Sequence, residues 1–230
     1  MSKEEQRQVA AEGLGTFMLV LVGAGAVALN PGNLVVAALA HGLILVAIIA
    51  TYGHISGAHV NPAVTFGLFL GGKIEFRRAG FYWIAQFIGA LVAGVILRII
   101  LPDPSTMGQT VPAANINSLD VVLVEGILTF FLVSVVYQAA AYGKGGILTP
   151  VLIGLTLAGC ILLGGPMTGA SLNPARTLGP ALLAENGQNL MEVGTYWFGI
   201  FLGAAFAGFI QTDMFAPEEH APVKRGSKKK

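Results

Sequence analysis

Apolar residues along this chain come in long runs, rather than the one-sided stripes of a soluble helix or the alternation of a half-buried strand. Six runs of roughly 20 residues stand out, at 9–29, 34–52, 80–100, 121–142, 148–164 and 193–213. A helix rises 1.5 Å per residue, so about 20 apolar residues cross a hydrocarbon layer of about 30 Å. Each run therefore predicts a transmembrane helix. Two shorter segments, Pro62–Leu70 and Pro174–Leu183, cannot reach across. Lying between full spans, they predict half-helices that re-enter the membrane from one side, which is tolerated where the backbone is buried in protein or lines water.

Both short segments start the same way, with Asn61-Pro62-Ala63 and Asn173-Pro174-Ala175. Asn is favoured as a helix cap and Pro at the first helical position, where its missing N–H is not needed. Each triplet thus starts a helix inside apolar surroundings, with the positive dipole end pointing inward. The duplication is wider than the triplets. The stretch 57–63 (GAHVNPA) recurs at 169–175 (GASLNPA), and 11–17 (AEGLGTF) matches 124–130 (VEGILTF). Tyr82-Trp83 followed by Gly89 and Ala93 matches Tyr196-Trp197 followed by Gly203 and Ala207. Each repeat, about 9–100 and 121–213, holds three spans and one half-helix. Three is odd, so the second repeat enters the membrane inverted, and the half-helices meet near the midplane from opposite faces. The Gly/Ala pairs fit close helix crossings.

Composition agrees with this picture. Hydrophobic residues make up 54% and charged residues only 11% of the 230 residues, against about 25% charged in a soluble domain. Charge distribution supplies the orientation. Eleven of the thirteen Lys and Arg fall on one side when six spans are threaded alternately, which predicts cytoplasmic termini and an outer loop 101–120. Arg98 and Arg176 are the exceptions. The segment 216–230 reads as a solvated basic tail, with no sign of a nucleic-acid partner. The single cysteine, Cys160, excludes an internal disulfide. His54 and His59 have no further ligands within reach of a metal-site pattern, so no metal is expected; His54 is expected to pack and His59 to line the cytoplasmic vestibule.

Glu12 and Glu125 lie inside spans one and four at matching repeat positions. Intramembrane carboxylates suggest function by default. Proton coupling is one reading; the preferred one is that each accepts hydrogen bonds from the backbone of a re-entrant loop.

With two such triplets in this setting and Arg176 directly after the second, the chain resembles the aquaporins, the major intrinsic protein family, over nearly its whole length. The resemblance implies one channel domain spanning 1–230, all-α, with six transmembrane helices and two re-entrant half-helices in an inverted repeat. It implies a passive channel for water that excludes protons and ions, no cofactor, no enzymatic activity, and a homotetramer in the lipid bilayer, the cell membrane being the expected one. Asn61 and Asn173 would offer amide N–H groups to a passing water oxygen, an arrangement in which helix dipoles and pore donors set selectivity.

By the same resemblance Arg176 belongs to a narrow extracellular-side filter, with His41, Ile161 and Ala170 as its other members. That set is similar to some plant vacuolar-membrane aquaporins, a group associated with water plus ammonia or urea, and departs from the Phe, His and Cys of strict water channels. The ring is expected to be wide yet lined by donors, and Cys160 to point away from it. A glycerol-permeable aquaglyceroporin is the alternative. It is disfavoured by Thr177, Ala181 and Tyr196-Trp197, which are of the water-channel kind. A secondary transporter would also use inverted repeats and broken helices, but the motif segments carry no acidic residue for a coupling ion.

Overall fold

The computed structural model describes residues 1–218. Its long helices are α1 (Lys3–Leu29), α2 (Leu34–Ser56), α4 (Phe76–Ile100), α5 (Ser118–Val136), α6 (Thr149–Thr168) and α8 (Leu190–Asp213). Two short helices, α3 (Pro62–Leu70) and α7 (Pro174–Leu183), start and stop where the Asn-Pro-Ala triplets predict. The fold is the all-α, six-span architecture with two half-helices, and the chain is an integral multi-pass membrane protein. The basic tail falls, from residue 219 onward, outside the described residues.

The long helices overrun the apolar runs for a local reason. Hydropathy marks the part of a helix in contact with lipid, whereas its ends are set by polar caps. At α1, Ser2 Oγ accepts from Glu5 N (3.1 Å) while Glu5 Oε2 accepts from Ser2 N (2.7 Å), so the helix begins six residues before the apolar run. Asn117 and Asp120 form the same reciprocal cap on α5. Gly57 and Gly169 end α2 and α6 with φ of +88° and +82°, a left-handed conformation that glycine adopts without steric penalty. At the end of α5 the helix widens into a single π-type turn, Tyr137–Ala141.

Packing follows a pseudo-twofold pattern. α1 lies along α4 as α5 lies along α8, α1 along α2 as α5 along α6, and α2 meets α6 across the axis. The Gly/Ala pairs sit at these crossings. A Cβ on Gly89 would fall 2.2 Å from the Gly13 carbonyl oxygen, and one on Gly203 2.0 Å from that of Gly126. Each half-helix then packs on the third span of the opposite repeat: Gly67 of α3 against Ala204 of α8, and Gly179 of α7 against Ala90 of α4. Large apolar side chains such as Ile84, Ile88, Phe198, Leu202 and Phe206 face outward, while Glu12, Gln86, Glu125 and Arg176 are buried inside. A soluble helical protein would show the reverse. Below, "inner" denotes the face that bears the N-terminus and Lys73, and "outer" the opposite one.

Candidate functional site

Two loops bring the half-helices together, and neither has regular backbone hydrogen bonding. Residues Ala58 and Val60 in the first loop and Ala170 and Leu172 in the second have φ between +43° and +54°. Left-handed backbone is costly for any residue with a Cβ, most of all a β-branched one such as Val60. Such strain persists only where the surroundings impose it. Here a buried carboxylate does so in each repeat.

Glu12 Oε1 accepts from Ser56 Oγ (2.7 Å) and His59 N (2.9 Å); its Oε2 accepts from Val60 N (2.7 Å) and Gln86 Nε2 (2.9 Å). Glu125 Oε1 accepts from Thr168 Oγ1 (2.7 Å) and Ser171 N (3.0 Å), and Oε2 from Leu172 N (2.8 Å). Backbone N–H groups that the left-handed turns leave without partners are thereby satisfied, and both carboxylates turn away from the passage. The repeated Tyr-Trp pairs add to the clamp. Tyr82 donates to Ser56 O and Tyr196 to Thr168 O; Trp83 donates to Pro62 O and Trp197 to Pro174 O, each at 3.1 Å.

The asparagines have two jobs at once. Asn61 Oδ1 accepts from Ala63 N (2.8 Å), and Asn173 Oδ1 from Ala175 N (3.0 Å) and Arg176 N (3.3 Å), which caps α3 and α7. Their amide groups then cross between repeats: Asn61 Nδ2 donates to Leu172 O (2.8 Å) and Asn173 Nδ2 to Val60 O (2.9 Å). An Asn amide carries two hydrogens, so one on each residue remains for another acceptor. Both residues line a narrow section together with Leu19, Leu45, Val64 and Leu157. The result is a polar spot in an otherwise apolar tube.

This section has a volume of about 30 Å³ and opens into wider spaces at either end. Through Ile49, His59, Val136 and Ala140 it joins an inner vestibule of about 620 Å³; through Arg176 it joins an outer one of about 250 Å³. Arg176 Nη2 donates to Gly108 O (2.8 Å) and Nε to His41 Nε2 (3.4 Å), while buried Nη1 has no hydrogen-bond partner among the described residues.

Residues 1–211 match a family model described as Major intrinsic protein. The chain belongs to the major intrinsic protein family. Among curated relatives, a probable aquaporin TIP3-2 of Arabidopsis thaliana is 42% identical over 94% of this chain and 86% of its own length. A probable aquaporin TIP2-1 of rice is 38% identical over 89% of this chain and 86% of its own. Among solved structures, the aquaglyceroporin from Plasmodium falciparum superposes with a TM-score of 0.79 at 24% identity, covering 93% of this chain and 98% of that one. At that identity the likeness speaks for the fold.

Within this member of the major intrinsic protein family, the expected ring residues do not all meet as anticipated. His41 and Arg176 line the narrow section, and Ile161 lines the outer vestibule with Arg176. Ala170 lines none of the three spaces: in its left-handed conformation its Cβ lies toward Gly164, and its neighbour Gly169 borders the outer vestibule instead. The expectation that donors line the ring does not hold for His41. Its Nδ1 pairs with Ala37 O at 2.8 Å, which places the proton there, and Nε2 accepts from Arg176. His54 does not pack; it is exposed and borders the inner vestibule, whereas His59 lines both that vestibule and the narrow section. Cys160 is buried, its thiol 3.7 Å from Leu128 O on α5.

Two contributors were not singled out from sequence. Gly108 supplies the carbonyl that holds Arg176, and a Cβ there would fall 2.0 Å from Ala24 O; nothing in the irregular 101–117 stretch signals it. Gln86 joins Glu12 to Thr65. Its signal was available as a polar residue inside an apolar span.

Proposed function

We propose that this chain is a passive transmembrane channel for water, with its narrowest part between the Asn61–Asn173 pair and Arg176. The observation that carries the reading is the reciprocal amide bridge, which leaves one free N–H on each asparagine in an apolar tube. A water donating nothing to the walls but accepting from both amides is held with its oxygen at the centre. It cannot then accept a proton from the next water in the file, which interrupts proton relay. The two half-helix dipoles, each worth about half an elementary charge, oppose cations at the same place. Arg176 opposes them a second time at the outer end.

The aquaporin relatives favour water. Ammonia and urea are further candidates, since His41, Ile161 and Gly169 leave the outer end less crowded than a ring of larger aromatic residues would. Glycerol belongs to the competing aquaglyceroporin reading, and a secondary transporter of small solutes is the weaker one. The working unit in this proposal is a homotetramer with cytoplasmic termini in the cell membrane. Glu12 and Glu125 act as loop supports, and the chain catalyses no reaction.

Stopped-flow light scattering of proteoliposomes with sucrose, glycerol, urea and ammonium gradients tests the assignment. Water flux should rise linearly with protein content and with gradient, with no saturation. Glycerol flux equal to that of water would favour the aquaglyceroporin, and saturable flux a transporter. Cross-linking in membranes reports the tetramer, and protease access to tagged termini the orientation. Cell fractionation reports the membrane.

A further inference from the structure

Two histidines border the narrow section, and a neutral imidazole offers a donor on one ring nitrogen and an acceptor on the other. His41 carries its hydrogen on Nδ1, which faces Ala37 O. At His59 the choice turns on Thr65, whose Oγ1 lies 3.1 Å from Nδ1 and can give or take the proton.

The proton count starts at Glu12, whose two oxygens accept the backbone N–H groups of His59 and Val60. Gln86 must turn its amide nitrogen toward this carboxylate, because the flipped amide would set oxygen against oxygen. That nitrogen gives one hydrogen to Glu12 Oε2 (2.9 Å) and the other to Thr65 Oγ1 (3.0 Å). Thr65 is wholly buried, and among the described residues its hydroxyl meets only Gln86 and His59. It accepts from the first, so its own proton goes to His59 Nδ1; a buried hydroxyl proton without an acceptor would be costly. The ring hydrogen of His59 then sits on Nε2.

The second repeat provides a contrast. Glu12 and Thr65 are kept there as Glu125 and Thr177, whereas Gln86 becomes Ile200 and His59 becomes Ser171. Thr177 donates to Asn173 O (3.1 Å), a bond that Thr65 does not make to Asn61 O. The amide and the imidazole thus occur together in one repeat and are both missing from the other. His59 Nε2 lies beside Gly57, where an added Cβ would fall 3.2 Å from it, and Gly57 lines both the narrow section and the inner vestibule. The wall at this join is otherwise apolar, with Ile49 and Val136.

We propose that Gln86 and Thr65 are positioning residues that fix His59 as its Nε2–H tautomer, giving the passage a hydrogen-bond donor where the narrow section meets the inner vestibule. A water entering from the inner side is taken up there by its oxygen. This role in transport rests on the channel reading; the tautomer does not.

Magic-angle-spinning NMR of the full chain in liposomes, with isotope-labelled histidine, reads which ring nitrogen is protonated. His59→Gln assigns the His59 signals by their loss. The wild type should show the hydrogen on Nε2 of His59 and on Nδ1 of His41. Thr65→Val removes the hydroxyl, and the Nδ1–H share of His59 should rise by about ten-fold, the worth of one hydrogen bond. Thr65→Ser keeps the hydroxyl and should keep the tautomer. Gln86→Ile installs the residue of the second repeat and frees Thr65 to turn to Asn61 O, so it should shift His59 in the same direction. It serves alone if thermal unfolding shows that Thr65→Val does not fold. A hydrogen on Nδ1 of His59 in the wild type, or variant spectra identical to it, would overturn the proposal. In an osmotic step, water permeability per channel should fall in a variant whose tautomer shifts; an unchanged value would overturn the donor's part in uptake. A wild type with the stated tautomer and no water flux would instead count against the channel reading.

Discussion

Loop 57–61 and its repeat partner 169–173 follow the same backbone path and are held by different means. In the first, Glu12 takes four donors, among them Gln86, and His59 faces the passage. In the second, Glu125 takes three donors, the residue matching Gln86 is Ile200, and Ser171 closes onto Thr177 and the Asn173 carbonyl. The half-helices differ at one decisive position, where Val64 of α3 corresponds in the repeat to Arg176 of α7. Both line the narrow section. Duplication therefore supplies the frame, two caps and two dipoles, while divergence supplies a charged outer end and an apolar inner end. Selectivity resides in the divergence.

The largest effects should come from the shared frame. Glu12→Gln replaces one oxygen of a carboxylate that holds four donors, two on each oxygen, by an N–H₂, which leaves at least the backbone N–H of His59 or that of Val60 buried and unpaired. Each such loss costs about 1–3 kcal/mol, with more for a charged acceptor. Glu125→Gln faces three donors. Thermal unfolding in detergent should show both variants strongly destabilised and Glu12→Gln the more so. The reverse order would mean that Gln86 adds nothing to the first loop.

Exchanging the divergent pair acts on transport rather than folding. Arg176→Val removes a fixed charge whose interaction with a passing cation is on the order of several kcal/mol in a medium of intermediate polarity. Glycerol and cation leakage should rise by about ten-fold or more, with water flux retained. Val64→Arg should narrow the inner half and cut water flux by about ten-fold, at the cost of burying an unpaired charge. Unchanged cation exclusion in Arg176→Val would put the barrier at the asparagines alone.

His41 offers a finer cut. Because Nε2 accepts from Arg176, a variant that keeps an acceptor and one that loses it should differ. His41→Phe takes away the Arg176 Nε partner, a loss of about 1–3 kcal/mol, and ammonia flux in proteoliposomes should fall more than water flux. His41→Gln should preserve most of both. Identical ammonia-to-water ratios in the two variants would deny His41 a role in positioning Arg176. The smallest effect belongs to Cys160, whose thiol faces α5: mercurials should block water flux only weakly, and Cys160→Ser should leave the flux unchanged. Strong block abolished by that substitution would place the thiol in the passage.

Spans and half-helices were legible because they rest on local physics, namely apolar length and the Asn-Pro start. The half-helix boundaries at Pro62 and Pro174 needed only the cap. Long-helix ends were read short, since Ser2, Asn117 and Asn189 lie outside the apolar runs they extend. At the site, spacing along a helix placed His41 near Arg176 but could not give its hydrogen-bond sense, which depends on the carbonyl of Ala37 and on an arginine from the other repeat. The left-handed turn at Ala170 was equally invisible: spacing counts residues, whereas a positive φ redirects the Cβ. Gly108 was missed because a carbonyl ligand carries no side-chain signature.

The central claim is that water passes between the two asparagines while protons do not. Proteoliposomes carrying the protein, subjected to an osmotic step in one experiment and a pH step with an internal fluorescent reporter in another, test it directly. Water permeability should rise in proportion to protein content while proton permeability stays at the empty-liposome level. Proton flux that rises with protein content, or water flux that does not, would contradict the account.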